Sequence, residues 1–482
     1  MSRRRRIPPQ EVEITHLGKG GTGIGMASDG RPIQVRKAPP GARVLVRPTG
    51  RSKAGWTGAR TALVRPPPAS NPPPCPVFDL CGGCALQDLT FEAQLQAKHE
   101  LALRQIQQAW AEHTDASLPT VPVHAPRYGG QPWGYRNKVE LGFGPSRYLS
   151  EADHAAGLPI DGRFLGFHAA GRFDRVIDVE RCPLISDAAN QLLSVVRHHA
   201  LQDAAPPPYN VRTHEGFWRH LVLREGHNTG ELLLCLVTAT PGEPETAAVR
   251  ALAEALMATD LASKRLCGVV WMVSTSLADV ARGEVCEVWG EPHFYDALGE
   301  VRFRISPTSF FQTNTAGAEC LYDTVGEALG HGGHLLDLYC GAGAIGLYLH
   351  GRVGQITGID EVEAAVQDAR RNAAEAGITN ARYLAAKVED ALHELEQVSG
   401  PRRIVVDPPR PGLHPKVTRA LAKAQADALV YVACNPASLG RDAAVLTEGG
   451  WQLQALWTVD LFPWTGHIEA VARFIRPASA AA

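Results

Sequence analysis

The stretch LLDLYCGAGAIGLYL at residues 335–349, with QITGID at 355–360, decides the fold of this chain. An apolar run of strand length passes through a glycine-rich turn into an apolar run of helical length, and a second strand follows. Outward from there the same alternation continues: helix EAAVQDARRNAAEAG, strand ARYLAA, strand RIVVD, helix TRALAKAQ and strand ALVYVAC. Strands alternating with helices of this length predict a doubly wound, mostly parallel sheet. Such sheets bind ligands at the carboxyl ends of their strands, where Tyr339, Asp360, Asp407 and Cys434 all fall.

The glycine turn brings backbone N–H groups and a helix N-terminus close to a ligand. Gly341, Gly343 and Gly346 fit the dinucleotide pattern G-x-G-x-x-G loosely, and Asp360 ends the next strand, where a carboxylate can take both hydroxyls of a ribose. Asp337 before the turn and DPPR after it favour S-adenosylmethionine over a nicotinamide, because its amino-acid tail carries an ammonium that an acid can receive. The plain alternative is a tight turn with no ligand, and the convergence of four strand ends weighs against it. In DPPRPG, 407–412, two prolines fix an extended backbone that lacks N–H donors, which suits holding Asp407 and carbonyls against a planar base.

Cys434, in YVACNPASLG, and Glu469, in HIEA, narrow the chemistry. Carbon 5 of uracil is too weak a nucleophile to take a methyl group unaided. A thiolate adding at carbon 6 generates an enolate whose carbon 5 can attack a sulfonium methyl. A carboxylate must then remove the carbon-5 proton so that the cysteine can leave. The plain readings are a buried strand cysteine and a solvated acid.

Toward the N-terminus the composition changes. Residues 1–65 hold 14 Lys and Arg against Glu11, Glu13 and Asp29, about +11, so the remainder is about −13 within a net charge of −2. A basic module on an acidic body points to a polyanion such as RNA. Its short alternating runs (EVEITHL, ARVLVRP, ARTALVRP) predict a small β-barrel. The run GKGGTGIG at 18–25 is not a dinucleotide loop, since SDGRP follows where a helix would have to be, so its glycines serve tight turns. Seven prolines in PPPASNPPPCP, 66–76, form a stiff linker. Then CPVFDLCGGC places Cys75, Cys81 and Cys84 within ten residues, and Cys182 in ERCPL is the best fourth metal ligand. Four thiolates admit zinc or an iron–sulfur cluster, and spacing alone slightly favours zinc. Cys235, Cys267, Cys286, Cys320 and Cys340 read as small buried hydrophobes. A helix follows over about 91–112, and a β-rich stretch from about 125 to 300 reads as a separate α+β domain.

A length of 482 residues exceeds one ordinary core and predicts a multidomain chain. MSRRRRIPPQ lacks the apolar segment of a secretory signal, and no window reaches the roughly 18 apolar residues of a membrane span. A cytoplasmic protein with no membrane partner is expected.

CPVFDLCGGC, RNKVELGFG, SPTSFFQTN, DLYCGAGAIGL, DPPRPGL, YVACNPASLGRD and HIEAVA, in this order, resemble the RNA (uracil-5-)-methyltransferases of the RumA/TrmA type from about residue 75 to 474. The basic barrel resembles the TRAM domain of the ribosomal-RNA members. The resemblance implies Cys434 as nucleophile, Glu469 as base, and S-adenosylmethionine contacts from Gln312, Tyr339, Gly341, Asp360 and Asp407. It also turns the metal reading from zinc to a four-iron, four-sulfur (4Fe-4S) cluster on Cys75, Cys81, Cys84 and Cys182. Ala344 and Lys387 depart from the family pattern, as do Trp464 and Gly466, and Trp464 is either packed in the core or a platform for a flipped base.

The expected architecture is a TRAM-like, OB-like barrel over 1–66, then linker, cysteine cluster and helix over 67–124. A central α+β RNA-binding domain supplying Cys182 spans 125–305, and an α/β, Rossmann-like class I methyltransferase domain spans 306–482. The expected activity is methylation of uridine carbon 5 in RNA by a monomer, with 23S ribosomal RNA favoured. The alternatives are transfer RNA as substrate, or an inactive RNA-binding iron–sulfur protein.

Overall fold

The computed structural model describes residues 8–53, 55–169, 172–391, 393–394 and 401–477. The arginine run at 3–6, and with it the expectation about a signal segment, lies outside them. Two compact units divide the chain: residues 1–73, 84–129 and 317–482 form one, and residues 74–83 and 130–316 the other.

In the first unit the strands Gln10–Leu17, Gly23–Met26, Pro32–Val35, Gly55–Arg65 and Arg43–Ser52 close, in that order, into a five-stranded barrel. Alternate residues turn inward, so Val12, Ile14, Ile33, Val35, Val44 and Val46 fill its interior. The helix Phe91–Ala111 begins where the Thr90 side chain accepts from the Ala93 N–H, a Thr N-cap that satisfies one of the free donors of the first turn.

The same unit holds an eight-stranded sheet. Its order is Ala381–Ala385, Gln355–Asp360, His334–Leu338, Arg402–Val406, Ala428–Ala433, Glu469–Ile475, Gln452–Asp460 and Arg127–Tyr128. The first five are parallel, and Ala428–Ala433 is buried along its whole length, as a strand covered on both faces must be. The doubly wound sheet is therefore present. It also holds an antiparallel strand that alternation alone does not reveal: Glu469–Ile475 inserts between Ala428–Ala433 and Gln452–Asp460, antiparallel to both.

The second unit is α+β. A seven-stranded mixed sheet packs the helices Asp187–Ala200 and Glu243–Met257 through Leu192, Leu193, Val196, Val249, Leu252 and Leu256. None of the described helices is long and apolar enough to cross a membrane.

Candidate active site

The carboxyl edge of the parallel strands gathers the predicted residues. After His334–Leu338 the chain turns through Tyr339 at φ 66°, Gly341 at 53° and Gly343 at 79°. Tyr339 is a bulky residue in the left-handed region, a strain that persists only where the surroundings over-determine it. Its N–H and that of Cys340 donate to the Ile359 carbonyl at 2.9 and 3.1 Å, which ties the turn to the next strand. The two glycines do different jobs. A Cβ on Gly343 would lie 2.8 Å from the Tyr383 hydroxyl, whereas one on Gly341 would meet nothing within 4 Å. Gly343 is thus needed for packing, and Gly341 borders open space where a ligand can approach the backbone.

Two carboxylates fasten the turn. Asp360 accepts from the Gly341 N–H through Oδ2 and the Val362 N–H through Oδ1, both at 2.9 Å. Two oxygens offer about four acceptor positions, so capacity remains for a diol. Asp337 is fully buried: Oδ2 accepts from the Gly346 N–H at 3.0 Å, and Oδ1 has no partner among the described residues. Burial pushes Asp337 up to about 7, with Asp407 and Asp360 adding repulsion, and burial raises Asp407 to about 7 as well. A bound ammonium answers both problems, since it supplies a donor to the orphaned oxygen and a positive charge among three acids. The site therefore fits S-adenosylmethionine, whose chemical contribution is a methyl group made electrophilic by the sulfonium.

A stability test follows from Asp337. Its folded-state pKa stands above the unfolded value of about 4, so the folded chain keeps a proton that the unfolded chain has released. Stability contributed by that proton is lost as pH rises between about 4 and 7. Asp337→Asn is expected to raise the Tm by a few degrees at pH 8, at about 2–4 °C per kcal/mol, and by little at pH 5. Calorimetry should show S-adenosylmethionine binding weakened at least about tenfold by the same change.

The segment DPPRPG is latched beside the strand that ends at Ala433. Buried Asp442 accepts from the Leu413 N–H at 2.9 Å, the Tyr431 hydroxyl at 2.7 Å and Arg441 Nε at 2.8 Å. Asn435 Nδ2 donates to the Arg410 carbonyl at 3.0 Å and Arg441 Nη2 to that of Pro411 at 2.8 Å. Thus YVACNPASLGRD carries its own fastening for the proline loop in addition to Cys434.

Cys434 and Glu469 meet through strand register. Ala433 pairs with Ala470 in the last rung of the antiparallel ladder, and Cys434 and Glu469 are their immediate chain neighbours. Burial pushes the Cys434 thiol up to about 11, with Glu469 and Asp407 adding repulsion and Arg410 pulling it back. Glu469 is 5% exposed and is pushed up to about 8 by burial and by Asp407, against the pull of Arg410 and Lys98. The site pairs a half-buried thiol with a carboxyl that can hold or release a proton near neutral pH. Arg410, not singled out by the sequence reading, is a cation that acts on both groups, and its place inside DPPR was the available signal.

The remaining candidates sit on other elements. Gln312 lies in the second unit, where its carbonyl accepts from Asn137 Nδ2 at 2.9 Å. Trp464 is 3% exposed and packs edge-on against Phe91 at 5.8 Å, so it is a core residue and not a base platform. Lys387 is exposed. Cys235, Cys267 and Cys340 are buried as expected, but Cys286 is exposed, because its strand Glu284–Gly290 is the edge of the seven-stranded sheet.

Cys75, Cys81 and Cys182 belong to the second unit. Burial raises the Cys182 thiol to about 11, with Cys75 and Cys81 adding repulsion, and the Gly83 N–H donates to Cys81 Sγ at 3.4 Å. Among the described residues no group of three or more His, Cys, Asp and Glu is placed to hold a metal ion. The structure therefore gives the expected cluster on Cys75, Cys81, Cys84 and Cys182 no support.

A glycine turn, an acid at the end of the next strand and a doubly wound sheet define a class I methyltransferase fold. A family model described as tRNA (Uracil-5-)-methyltransferase matches residues 297–476. An uncharacterized RNA methyltransferase of Chlorobaculum tepidum is 35% identical over 97% of this chain and 96% of its own length. One of Caldanaerobacter subterraneus is 33% identical over 95% and 97%. The solved structure of Pyrococcus abyssi tRNA (uracil-54, C5)-methyltransferase with S-adenosyl-L-homocysteine aligns with a TM-score of 0.73 at 26% identity, covering 97% of this chain and all of that one. The chain belongs to the RNA (uracil-5-)-methyltransferase family of the RumA/TrmA type, S-adenosylmethionine-dependent enzymes that act on RNA.

Proposed function

We propose that this enzyme methylates carbon 5 of a uridine in 23S ribosomal RNA through a covalent bond between Cys434 and carbon 6, and that Glu469 removes the carbon-5 proton. The observation that carries the reading is the last rung of the ladder, which pairs Ala433, the residue before Cys434, with Ala470, the residue after Glu469. The Cys434 thiol gives up its proton to solvent, the thiolate, with the Arg410 cation acting on it, adds to carbon 6, and the electron pair of the 5,6 double bond moves to the carbon-4 oxygen. Carbon 5 then takes the methyl from the sulfonium, leaving the thioether S-adenosylhomocysteine. Glu469 accepts the carbon-5 proton, the freed electron pair restores the double bond, and the sulfur leaves as thiolate. Tyr339, Gly341, Asp360 and Asp407, with Gln312, are proposed to hold S-adenosylmethionine.

The choice of ribosomal RNA rests on the basic barrel together with the cysteine cluster, and a 4Fe-4S cluster on Cys75, Cys81, Cys84 and Cys182 belongs to the same proposal. Its support is the spacing of the cysteines in the sequence. The four-part division at residues 66, 124 and 305, and the monomeric state, are likewise proposed. Transfer RNA is the second reading. It is favoured by the likeness to the Pyrococcus abyssi enzyme, which at 97% coverage of this chain takes in most of the barrel. Mapping 5-methyluridine in RNA from a strain lacking the gene separates the two. Loss of one or more sites in 23S RNA is expected, and loss confined to transfer RNA would assign the second reading.

A further inference from the structure

The glycines of GKGGTGIG have a partner that the methyl-transfer chemistry does not explain. They form a short 3-10 turn at Lys19–Gly21, with Gly20 and Gly21 at φ 70° and 73°. This barrel turn lies against residues 461–468, the loop that leads into Glu469. A Cβ on Gly466 would fall 2.1 Å from both the Gly20 carbonyl carbon and the Gly21 nitrogen, and one on Gly21 would fall 2.9 Å from the Gly466 Cα. Both contacts are backbone against backbone, so no side-chain rotation relieves them.

Two other elements hold the same loop. The Ala85 and Leu86 N–H groups donate to the Trp464 carbonyl at 2.7 and 3.0 Å. From the helix Phe91–Ala111, Lys98 Nζ donates to Asp460 Oδ1 at 2.6 Å and to the Phe462 carbonyl at 3.0 Å. Gln94 donates to Asp460 Oδ2 at 2.9 Å and accepts from the Trp464 N–H at 3.4 Å. Lys98, Gln94 and Asp460 are fully buried. Within the loop Trp464 sits at φ 68°, a conformation that a bulky residue keeps only when its surroundings impose it.

We propose that the barrel's Gly20–Gly21 turn, with the buried Lys98, Gln94 and Asp460 network, positions Glu469 for removal of the carbon-5 proton. These are positioning residues, and the proposal rests on the reading of Glu469 as the base. The barrel then belongs to the catalytic geometry in addition to carrying basic charge, because displacing its turn displaces the loop that ends at the base. The groups acting on Glu469 are Asp407, Arg410 and Lys98, and only Lys98 comes from the clamp.

The test uses full-length Gly21→Ala, Gly466→Ala and Glu469→Gln, with Gly30→Ala as control. Gly30 has φ 77° in another barrel turn, and a Cβ there meets nothing within 4 Å, so it shares the backbone strain of Gly21 without the contact. Each protein is mixed with S-adenosylmethionine and RNA from a strain lacking the gene. Methyl transfer in the first turnover and the fraction of SDS-stable protein–RNA complex are both followed. Gly21→Ala and Gly466→Ala are expected to transfer methyl as the parent does but to release RNA about 10- to 100-fold more slowly, so that the complex accumulates. Gly30→Ala should release at the parental rate. Gln94→Leu, from the third side of the clamp, carries the same expectation if melting curves show that the glycine variants do not fold. Parental release by the clamp variants while Glu469→Gln accumulates the complex would overturn the positioning role alone. Absence of the complex with Glu469→Gln would overturn the reading of the base beneath it.

Discussion

Cys434→Ala is expected to abolish formation of 5-methyluridine, a loss of about 10⁴-fold or more, while S-adenosylmethionine still binds. The size follows from what the thiol supplies. Without addition at carbon 6 there is no enolate, and loss of a covalent nucleophile is felt by the whole catalytic unit at once. Cofactor affinity should survive because the glycine turn, Asp337 and Asp360 do not depend on the thiol for their fastening: they hold each other through Gly341, Gly346 and Val362. Single-turnover methyl transfer with calorimetry on the same sample separates the two quantities. Cys434→Ser is expected to be nearly as inactive, since an alkoxide is far harder to form than a thiolate. Even the thiol stands at about 11 with the pull of Arg410 already acting on it.

Glu469→Gln is expected to cut turnover by about 10²- to 10⁴-fold, the usual contribution of a positioned base, and to do so at a defined step. Addition and methyl transfer still proceed, but carbon 5 keeps its proton and the sulfur cannot leave. A stable, methylated protein–RNA complex should therefore build up, which a simple loss of fold or of RNA binding would not produce. The pH dependence carries the same signature. Burial and Asp407 hold Glu469 at about 8, so the carboxylate that accepts the proton is the minor form at pH 7. Release of RNA should accelerate close to tenfold per unit of pH up to about 8 and then level off. The glutamine variant should lose that inflection.

The sequence made the parallel half of the sheet legible because each unit of it is local. An apolar strand, a turn and an amphipathic helix sit side by side in the chain, and Asp337, Tyr339, Asp360 and Asp407 occupy strand ends that can be counted off directly. The antiparallel half is not local. Glu469 comes near Cys434 only because Glu469–Ile475 inserts between Ala428–Ala433 and Gln452–Asp460, an order set by tertiary packing and unrelated to spacing. The same holds for Lys98 and Asp460, which lie 362 residues apart. It holds also for Gly21 and Gly466, whose need for glycine appears only when two backbones touch. Cys286 shows the opposite failure: an apolar neighbourhood in the sequence suggested burial, but a strand at a sheet edge exposes what an inner strand would cover.

The pairing of Cys434 with carbon 6 is tested most directly by RNA in which 5-fluorouridine replaces uridine. The parent enzyme should add its sulfur and transfer the methyl, but fluorine at carbon 5 cannot leave as a cation in place of the proton, so the enzyme should remain bound. Mass spectrometry of the digested complex is expected to find methylated 5-fluorouridine on the peptide containing Cys434. A nucleoside attached to any other residue, or turnover with no attached nucleoside at all, would contradict the mechanism.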